Sequence, residues 1–191
     1  MFILKKIIPF IIVALLFVQC NGNKSFEIAK GQVGNIHAET TIQELDALFT
    51  SDSLVKILSE GDLGNEISEY LVEDDLYFVY SKLDKKKLLE IEPVNQHDSV
   101  SKIKSIQIFD PRFKTANGIG LHSTFQEINA NCKINKVETT FTSAILFIDE
   151  LNATIVIDKS ELGIKDFSLQ KVTLEQIPDL AKIKYFTVWF D

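Results

Sequence analysis

Two stretches of this chain, residues 35–45 (NIHAETTIQEL) and 118–128 (GIGLHSTFQEI), align without gaps at an offset of 83 residues. Each contains a threonine followed three residues later by a glutamate, namely Thr41 with Glu44 and Thr124 with Glu127. In a capping box of this spacing, the threonine hydroxyl accepts from the glutamate N–H and the glutamate carboxylate accepts from the threonine N–H. We therefore predict a short helix at each threonine and an internal duplication of the body.

Both predicted helices carry an apolar stripe at helical spacing. The stripes are Ile42, Leu45, Leu48 and Phe49 in the first copy and Phe125, Ile128 and Cys132 in the second. The alignment places Cys132 opposite Phe49, on the face that packs into the core. A cysteine there behaves as a small hydrophobic residue.

Runs rich in β-branched and aromatic residues predict strands around these helices. They are residues 26–28, 76–80, 88–91, 103–109, 139–148, 154–157 and 184–190. Asn117-Gly118 predicts a tight turn, and residues 84–87 and 150–152 predict hairpin turns. The last strand has apolar side chains on both faces, which predicts that both faces are covered.

This pattern predicts an α+β fold of two tandem helix-plus-antiparallel-sheet repeats. We assign the first repeat to residues 26–97 and the second to residues 98–191, with a polar linker at 93–101. The pattern leaves open whether the repeats only pack together or share one continuous sheet.

The first nineteen residues have the features of a signal peptide rather than of a fold. Lys5 and Lys6 form a basic start, and an apolar run follows at 7–18. This run is shorter than the ~20 residues that span a bilayer. We predict that residues 1–19 are a signal peptide, and that they are absent from the mature protein.

Residues 16–20 (LFVQC) resemble the lipobox of bacterial lipoproteins, especially the looser lipoboxes of Bacteroidetes-type bacteria, although Gln19 stands where the pattern has a small residue. The resemblance implies that Cys20 is lipidated, with residues 20–25 as a polar tether. It also implies an outer-membrane protein facing the periplasm, because Asn21 is not the aspartate that retains lipoproteins in the inner membrane and no acidic cluster follows Cys20. Two alternatives remain: Cys20 is an ordinary thiol, or it forms a disulfide with Cys132.

Residues 115–128 (TANGIGLHSTFQEI) resemble a turn-and-helix segment of Gram-negative envelope lipoproteins, including the sigma-E-regulated lipoprotein family of unknown function. His122 stands where that pattern has glycine. A more distant resemblance is to BamE/SmpA-type lipoproteins and to the β-lactamase-inhibitor protein, which is also a tandem repeat. These resemblances imply a non-catalytic envelope protein that binds other proteins.

Residues that could carry chemistry are few and scattered. His37, His97 and His122 lack the spacing of a zinc site, and no nucleophile or phosphate-binding motif is present. The pairs Asp74-Asp75 and Asp149-Glu150 are interpreted as solvated strand ends, and 85–87 as a solvated basic hairpin tip. We predict no catalytic residues, no metal and no cofactor.

After the signal peptide the chain has 18 basic and 27 acidic residues, a formal charge of −9. This charge disfavours nucleic acid as a partner. The sequence therefore predicts a non-enzymatic envelope lipoprotein that binds another protein. The alternatives are a carrier of hydrophobic ligands, whose cavity would be lined by phenylalanines, of which the full chain has fourteen, and an uncharacterised enzyme.

Overall fold

The computed structural model describes residues 24–59, 74–164 and 171–190. The predicted signal peptide and Cys20 lie outside these residues. A 3-10 turn at Lys24–Phe26 opens the described chain.

An antiparallel sheet of eight strands forms most of the molecule. In spatial order the strands are β4, β5, β6, β7, β12, β11, β10 and β9. Their bounds are β4 Asp52–Ile57, β5 Leu76–Ser81, β6 Lys87–Pro93, β7 Ile103–Ile108, β9 Lys136–Thr139, β10 Ser143–Ile148, β11 Ala153–Asp158 and β12 Ile183–Trp189. The central pair, β7 and β12, joins strands that are distant in the chain, so one continuous sheet connects the two halves.

A second, small sheet is built from short strands in the order β3, β2, β1, β8. These strands are β1 Glu27–Ala29, β2 Gln32–Val33, β3 Ile36–His37 and β8 Lys114–Thr115. Its buried side chains, among them Ile28, Val33 and Ile36, belong to the same core as the large sheet. Gly34 has a positive φ of 58°, and a Cβ there would lie 2.6 Å from the Ser25 carbonyl oxygen, so the tight β2–β3 turn requires glycine.

The predicted α+β class with helix-plus-sheet repeats is wrong, because the described chain is mostly β. Helix α1 is a single turn, Leu45–Leu48, that follows a 3-10 turn at Ile42–Glu44, and α2 has only seven residues, Phe125–Asn131. A capping box starts a helix but does not set its length. The chain leaves helical geometry at Phe49 and at Cys132, and extended runs rich in β-branched residues follow each.

The two capping boxes themselves are present. Thr124 N–H donates to Glu127 Oε2 at 2.8 Å, and Glu127 N–H donates back to the Thr124 hydroxyl at 3.4 Å. Thr41 N–H donates to Glu44 Oε2 at 2.7 Å, whereas the Thr41 hydroxyl donates to the same carboxylate. Each threonine also forms an isolated antiparallel β-bridge with the residue that precedes a central strand. Thr41 pairs with Lys102 before β7, and Thr124 pairs with Lys182 before β12.

One face of the large sheet forms the main core. Two cross-strand rows on this face are almost entirely buried: Val79, Leu89, Ile108, Phe186, Ile155 and Leu146, and Tyr77, Ile91, Ile106, Val188, Ala153 and Ile148. The first residues of the helical segments, Ile42, Leu45, Phe125 and Ile128, are buried in the same cluster. The helical segments therefore belong to the layer that covers this face.

The strand predictions were mostly confirmed, but several observed strands were not predicted. The predicted run at 139–148 contains β10 and only the last residue of β9, with a turn at residues 140–142 between them. Strand β4 was not predicted, since it follows directly on a helix stripe, and the short strands β2, β3 and β8 were not predicted either. The predicted linker at 93–101 is largely the connection between β6 and β7, which Val94 N–H closes by donating to the Lys102 carbonyl. The repeat boundary at 97/98 stays a prediction.

Candidate functional site: the outer face of the large sheet

A single row of side chains crosses all eight strands on the face opposite the core. In register, the row reads Val55, Phe78, Glu90, Gln107, Thr187, Thr154, Phe147 and Lys136. Cross-strand partners lie on the same side of a sheet, and so do residues two apart in a strand. Tyr80, Tyr185, Val156, Ile145 and Trp189 therefore lie on this face too.

This outer face is apolar in part, and no described segment of the chain covers it. Val55 is 43% exposed and Tyr185 is 40% exposed, and Phe78, Phe147 and Trp189 are half-buried. The prediction that the last strand is covered on both faces was wrong, because only Phe186 and Val188 on its core side are buried. The described residues thus provide no second layer over the outer face.

Lysine side chains lie over several of the rings. Lys87 Nζ lies 3.9 Å from the ring centre of Phe109 and 4.8 Å from that of Phe78, and it pairs with Glu90 at 2.8 Å. Lys136 lies 5.4 Å from the Phe147 ring centre. Such contacts let the lysine stems cover aromatic surface while the ammonium group stays solvated.

The charges on and beside the outer face cancel one another. Four ion pairs are found there: Lys87 with Glu90, Lys104 with Glu92, Lys136 with Glu138 and Lys184 with Asp158. The outer face is therefore close to neutral, whereas the chain after the predicted signal peptide carries −9.

A second cluster of polar residues lies at the end of the sheet where β5 begins. Asp75 is fully buried, so the prediction that Asp74-Asp75 is a solvated strand end was wrong for Asp75. Its carboxylate accepts from Ser59 N–H at 2.9 Å, from the Ser59 hydroxyl at 3.1 Å and from His97 N–H at 2.6 Å. Burial raises the pKa of Asp75, but these hydrogen bonds from His97 and Ser59 outweigh it, and the pKa is lowered overall.

Ser59, His97 and Asp75 include the residue types of a hydrolytic triad, but their geometry is different. His97 Nδ1 lies 3.7 Å from Asp75 Oδ1, beyond hydrogen-bonding distance. The Ser59 hydroxyl oxygen lies 3.1 Å from Asp75 Oδ1 and 3.0 Å from His97 Nε2, so the serine contacts the carboxylate directly. In a triad the histidine lies between the serine and the carboxylate, with one ring nitrogen bonded to each. The three residues form a structural cluster that ties the β6–β7 connection to the ends of β4 and β5.

Cys132 ends helix α2, where it is half-buried against the core and carries a free thiol. Burial, with a smaller contribution from Glu150, raises its pKa to about 11. A thiol with this pKa is a weak nucleophile at neutral pH. The position agrees with the predicted packing role.

A depression of about 310 Å³ lies beside Cys132. It is open to solvent, and its lining includes Glu27, Lys30 and Glu150 as well as Ile28. A carrier of hydrophobic ligands needs an enclosed and largely apolar cavity. This depression does not have that character.

The other predicted residues lie apart from the outer face. His37 and His122 are exposed, and Lys85 and Lys86 are exposed at the β5–β6 hairpin tip while Lys87 belongs to β6. Across residues 24–59, 74–164 and 171–190, no three His, Cys, Asp or Glu side chains are grouped as a metal site would need. No helix in the described part of the chain is long and apolar enough to cross a membrane.

The sequence alone would have found part of the outer face. Alternating apolar and aromatic residues mark Phe78, Tyr80, Tyr185 and Trp189 as facing one side of their strands. No sequence signal links Ser59, Asp75 and His97, because tertiary structure alone brings these distant residues together.

A solved structure with a similar fold is that of the uncharacterized protein YfeY from Escherichia coli. The match has a TM-score of 0.52 and 10% sequence identity, and it covers 85% of this chain and 99% of that chain. At this identity the likeness shows the fold alone. No protein-family model matches this chain, and the search of curated proteins gave no match either.

Proposed function

We propose that this chain is a lipoprotein of the cell envelope, anchored through Cys20 and facing the periplasm, that binds another protein without catalysing a reaction. The observation that supports the binding role most directly is the uncovered outer face. Partly exposed aromatic side chains on an open sheet are typical of surfaces that lose water on binding.

The charge pattern favours one kind of partner. Because Lys87, Lys136 and their neighbours are already paired with carboxylates, they offer little to phosphate groups or to anionic lipid headgroups. A folded protein with an apolar patch of low net charge suits this surface better. Aromatic residues at the centre of such an interface contribute most of the binding energy.

A crosslinking experiment in intact cells tests the binding face. A photoreactive amino acid replaces Tyr185 on the outer face, and the matched control places it at Leu83, which is 95% exposed on the hairpin tip. We expect one discrete crosslinked species from position 185 and none from position 83. The additional change Phe147→Glu should abolish that species, since a carboxylate there removes apolar contact area.

Two results would contradict the binding role. One is an identical crosslinking pattern from both positions, and the other is a species from position 185 that survives Phe147→Glu. The anchor is tested separately by Cys20→Ser. We expect that this variant moves from the membrane fraction to the soluble fraction, and unchanged fractionation would contradict lipidation.

A further inference from the structure

The edge strand β4 offers an interface that is distinct from the outer face. Among the described residues, β4 pairs with β5 alone. The other edge strand, β9, is short, and Val172 N–H donates to Thr139 Oγ1 beside it. Exposed edges are usually blunted by short strands or covering segments. With six residues, β4 is the longer of the two edges and has no such cover among the described residues.

The backbone groups of β4 alternate between β5 and the open side. Asp52 of β4 lies opposite Ser81 of β5. The backbone N–H and C=O of Ser81 bond to Lys86 and Lys85 in the β5–β6 turn, so both groups point away from β4. Asp52 therefore belongs to a pair without mutual hydrogen bonds, and so do Leu54 and Lys56 two and four residues on. The N–H and C=O groups of Leu54 and Lys56 consequently point to the open side.

We propose that two copies of this chain pair antiparallel through β4, centred on Leu54. In this register Leu54 faces Leu54 of the second copy, and Asp52 faces Lys56 of the second copy. Opposite charges directly across a strand pair stabilise it, and like charges destabilise it. Registers centred on Asp52 or on Lys56 place like charges opposite each other, and registers centred on Ser53 or on Val55 leave both charges opposite uncharged residues. The Leu54 register alone pairs Asp52 with Lys56, so the charges of β4 favour it.

The existing contacts of these charges are exposed and long, and the Asp52 carboxylate accepts from the Ser51 hydroxyl at 3.4 Å. Lys56 Nζ lies 3.4 Å from Asp46, but the two side chains are 47% and 66% exposed. An exposed pair of this kind contributes little, and Lys56 can exchange it for the cross-strand partner. Val55 lies on the opposite face of β4, within the outer face. In the dimer, the outer faces of the two copies would therefore lie on the same side of one continuous sheet. This pairing does not depend on the proposed function.

Charge-reversal variants test the pairing by mass measurement of the full chain in detergent. We expect a dimer for the wild type and monomers for Asp52→Lys and Lys56→Asp measured separately, because each creates like-charge pairs. An equimolar mixture of the two variants should restore the dimer, since the lysine introduced in one variant then faces the aspartate introduced in the other. The control Lys136→Asp, on the edge strand β9, should remain dimeric.

The mixture also serves as the folding control, because only folded variants can restore the pairing. A monomeric wild type would overturn the proposal. So would single variants that stay dimeric, or a mixture of folded variants that stays monomeric.

Discussion

Asp75 shows how one buried side chain can hold together distant parts of this chain. Its carboxylate accepts hydrogen bonds from Ser59, which follows β4, and from His97 in the β6–β7 connection. His97 has a left-handed φ of 55°, a conformation that costs energy in a residue other than glycine. The hydrogen bond to Asp75 stabilises the turn in that conformation.

Asp75→Ala should destabilise the fold by about 3 kcal/mol, because it leaves the buried N–H and hydroxyl of Ser59 and the partly buried N–H of His97 without their acceptor. Urea denaturation would measure the change in the free energy of unfolding. The control Asp74→Ala, at an exposed neighbour, should change it by less than about 0.5 kcal/mol. Equal changes in the free energy of unfolding for the two substitutions would contradict a stabilising role of the hydrogen bonds to Asp75.

Asp158 provides a pH-dependent contribution at the end of β11. Its carboxylate pairs with Lys184 at 2.7 Å and accepts from Ser160 N–H at 3.1 Å. The hydrogen bond from Lys184, followed by those from Ser160, lowers the pKa of Asp158 from 3.8 to about 2. A lowered folded-state pKa means that the charged form is stabilised by folding, so this contribution is present above pH ~4 and is lost as the pH falls towards 2.

Asp158→Asn should therefore lower the free energy of unfolding by about 1 kcal/mol at pH 7, a value reduced for solvent screening. Thermal unfolding of wild type and variant between pH 7 and pH ~2 is the measurement, and the difference in Tm should shrink to nothing at the acid end. Asp149→Asn in the exposed β10–β11 turn is the control. A difference that stays constant with pH would contradict the electrostatic origin.

At the scale of elements, the two capping boxes differ in a way that the sequence does not show. In both boxes the threonine hydroxyl contacts the glutamate carboxylate. The Thr124 hydroxyl also accepts from Glu127 N–H, which satisfies an N–H at the start of a helix. Glu44 N–H instead bonds to the Thr41 carbonyl, so the Thr41 hydroxyl adds an exposed contact between side chains.

Thr124→Ala should consequently cost about 1 kcal/mol of stability, and Thr41→Ala only a few tenths. Chemical denaturation of the two variants under the same conditions compares them directly. The test is which substitution causes the larger loss in the free energy of unfolding. A larger loss for Thr41→Ala than for Thr124→Ala would contradict the stronger capping role of Thr124.

The strands were predictable where the local signal was complete. β5, β7, β11 and β12 stand out through their β-branched and aromatic content, and the turn at 150–152 is the one between β10 and β11. Strand β4 was missed since Leu54, Val55 and Ile57 directly follow a helical stripe, and no glycine or proline marks the change. The short helical segments, at residues 42–48 and 125–131, lie where the apolar stripes predicted them.

At the scale of the molecule, the pairing of β7 with β12 makes the body one unit. Four strands lie on each side of that pairing within one sheet, and the buried side chains of both sheets form one core cluster. Domains that share a core unfold cooperatively. The two halves should therefore not unfold independently.

Phe186→Ala, at a fully buried position on β12, tests this expectation. We expect a loss of roughly 3–5 kcal/mol, with one transition seen both in Trp189 fluorescence and in far-ultraviolet circular dichroism. Trp189 reports on the centre of the sheet, while circular dichroism reports on every strand. Transitions at different denaturant concentrations would mean that the halves unfold separately.

The sequence alone determined the properties that depend on neighbouring residues. These are the helix starts at Thr41 and Thr124, most strands, the turn at Asn117-Gly118 and the packing role of Cys132. Capping, alternation and turn conformation act over a few residues, so they can be recognised without the fold. The predictions for residues 1–19 and for Cys20 are of the same local kind.

Only the tertiary structure decided the class of the fold, the order of the strands and the face that stays open. Alternating apolar side chains on both sides of β12 do not reveal which side is covered, since that depends on what packs there. The burial of Asp75 likewise depends on Ser59 and His97, which lie 16 and 22 residues away in the chain. Long-range pairing is a property of the whole chain, and it is this pairing that creates the outer face and leaves β4 at the edge.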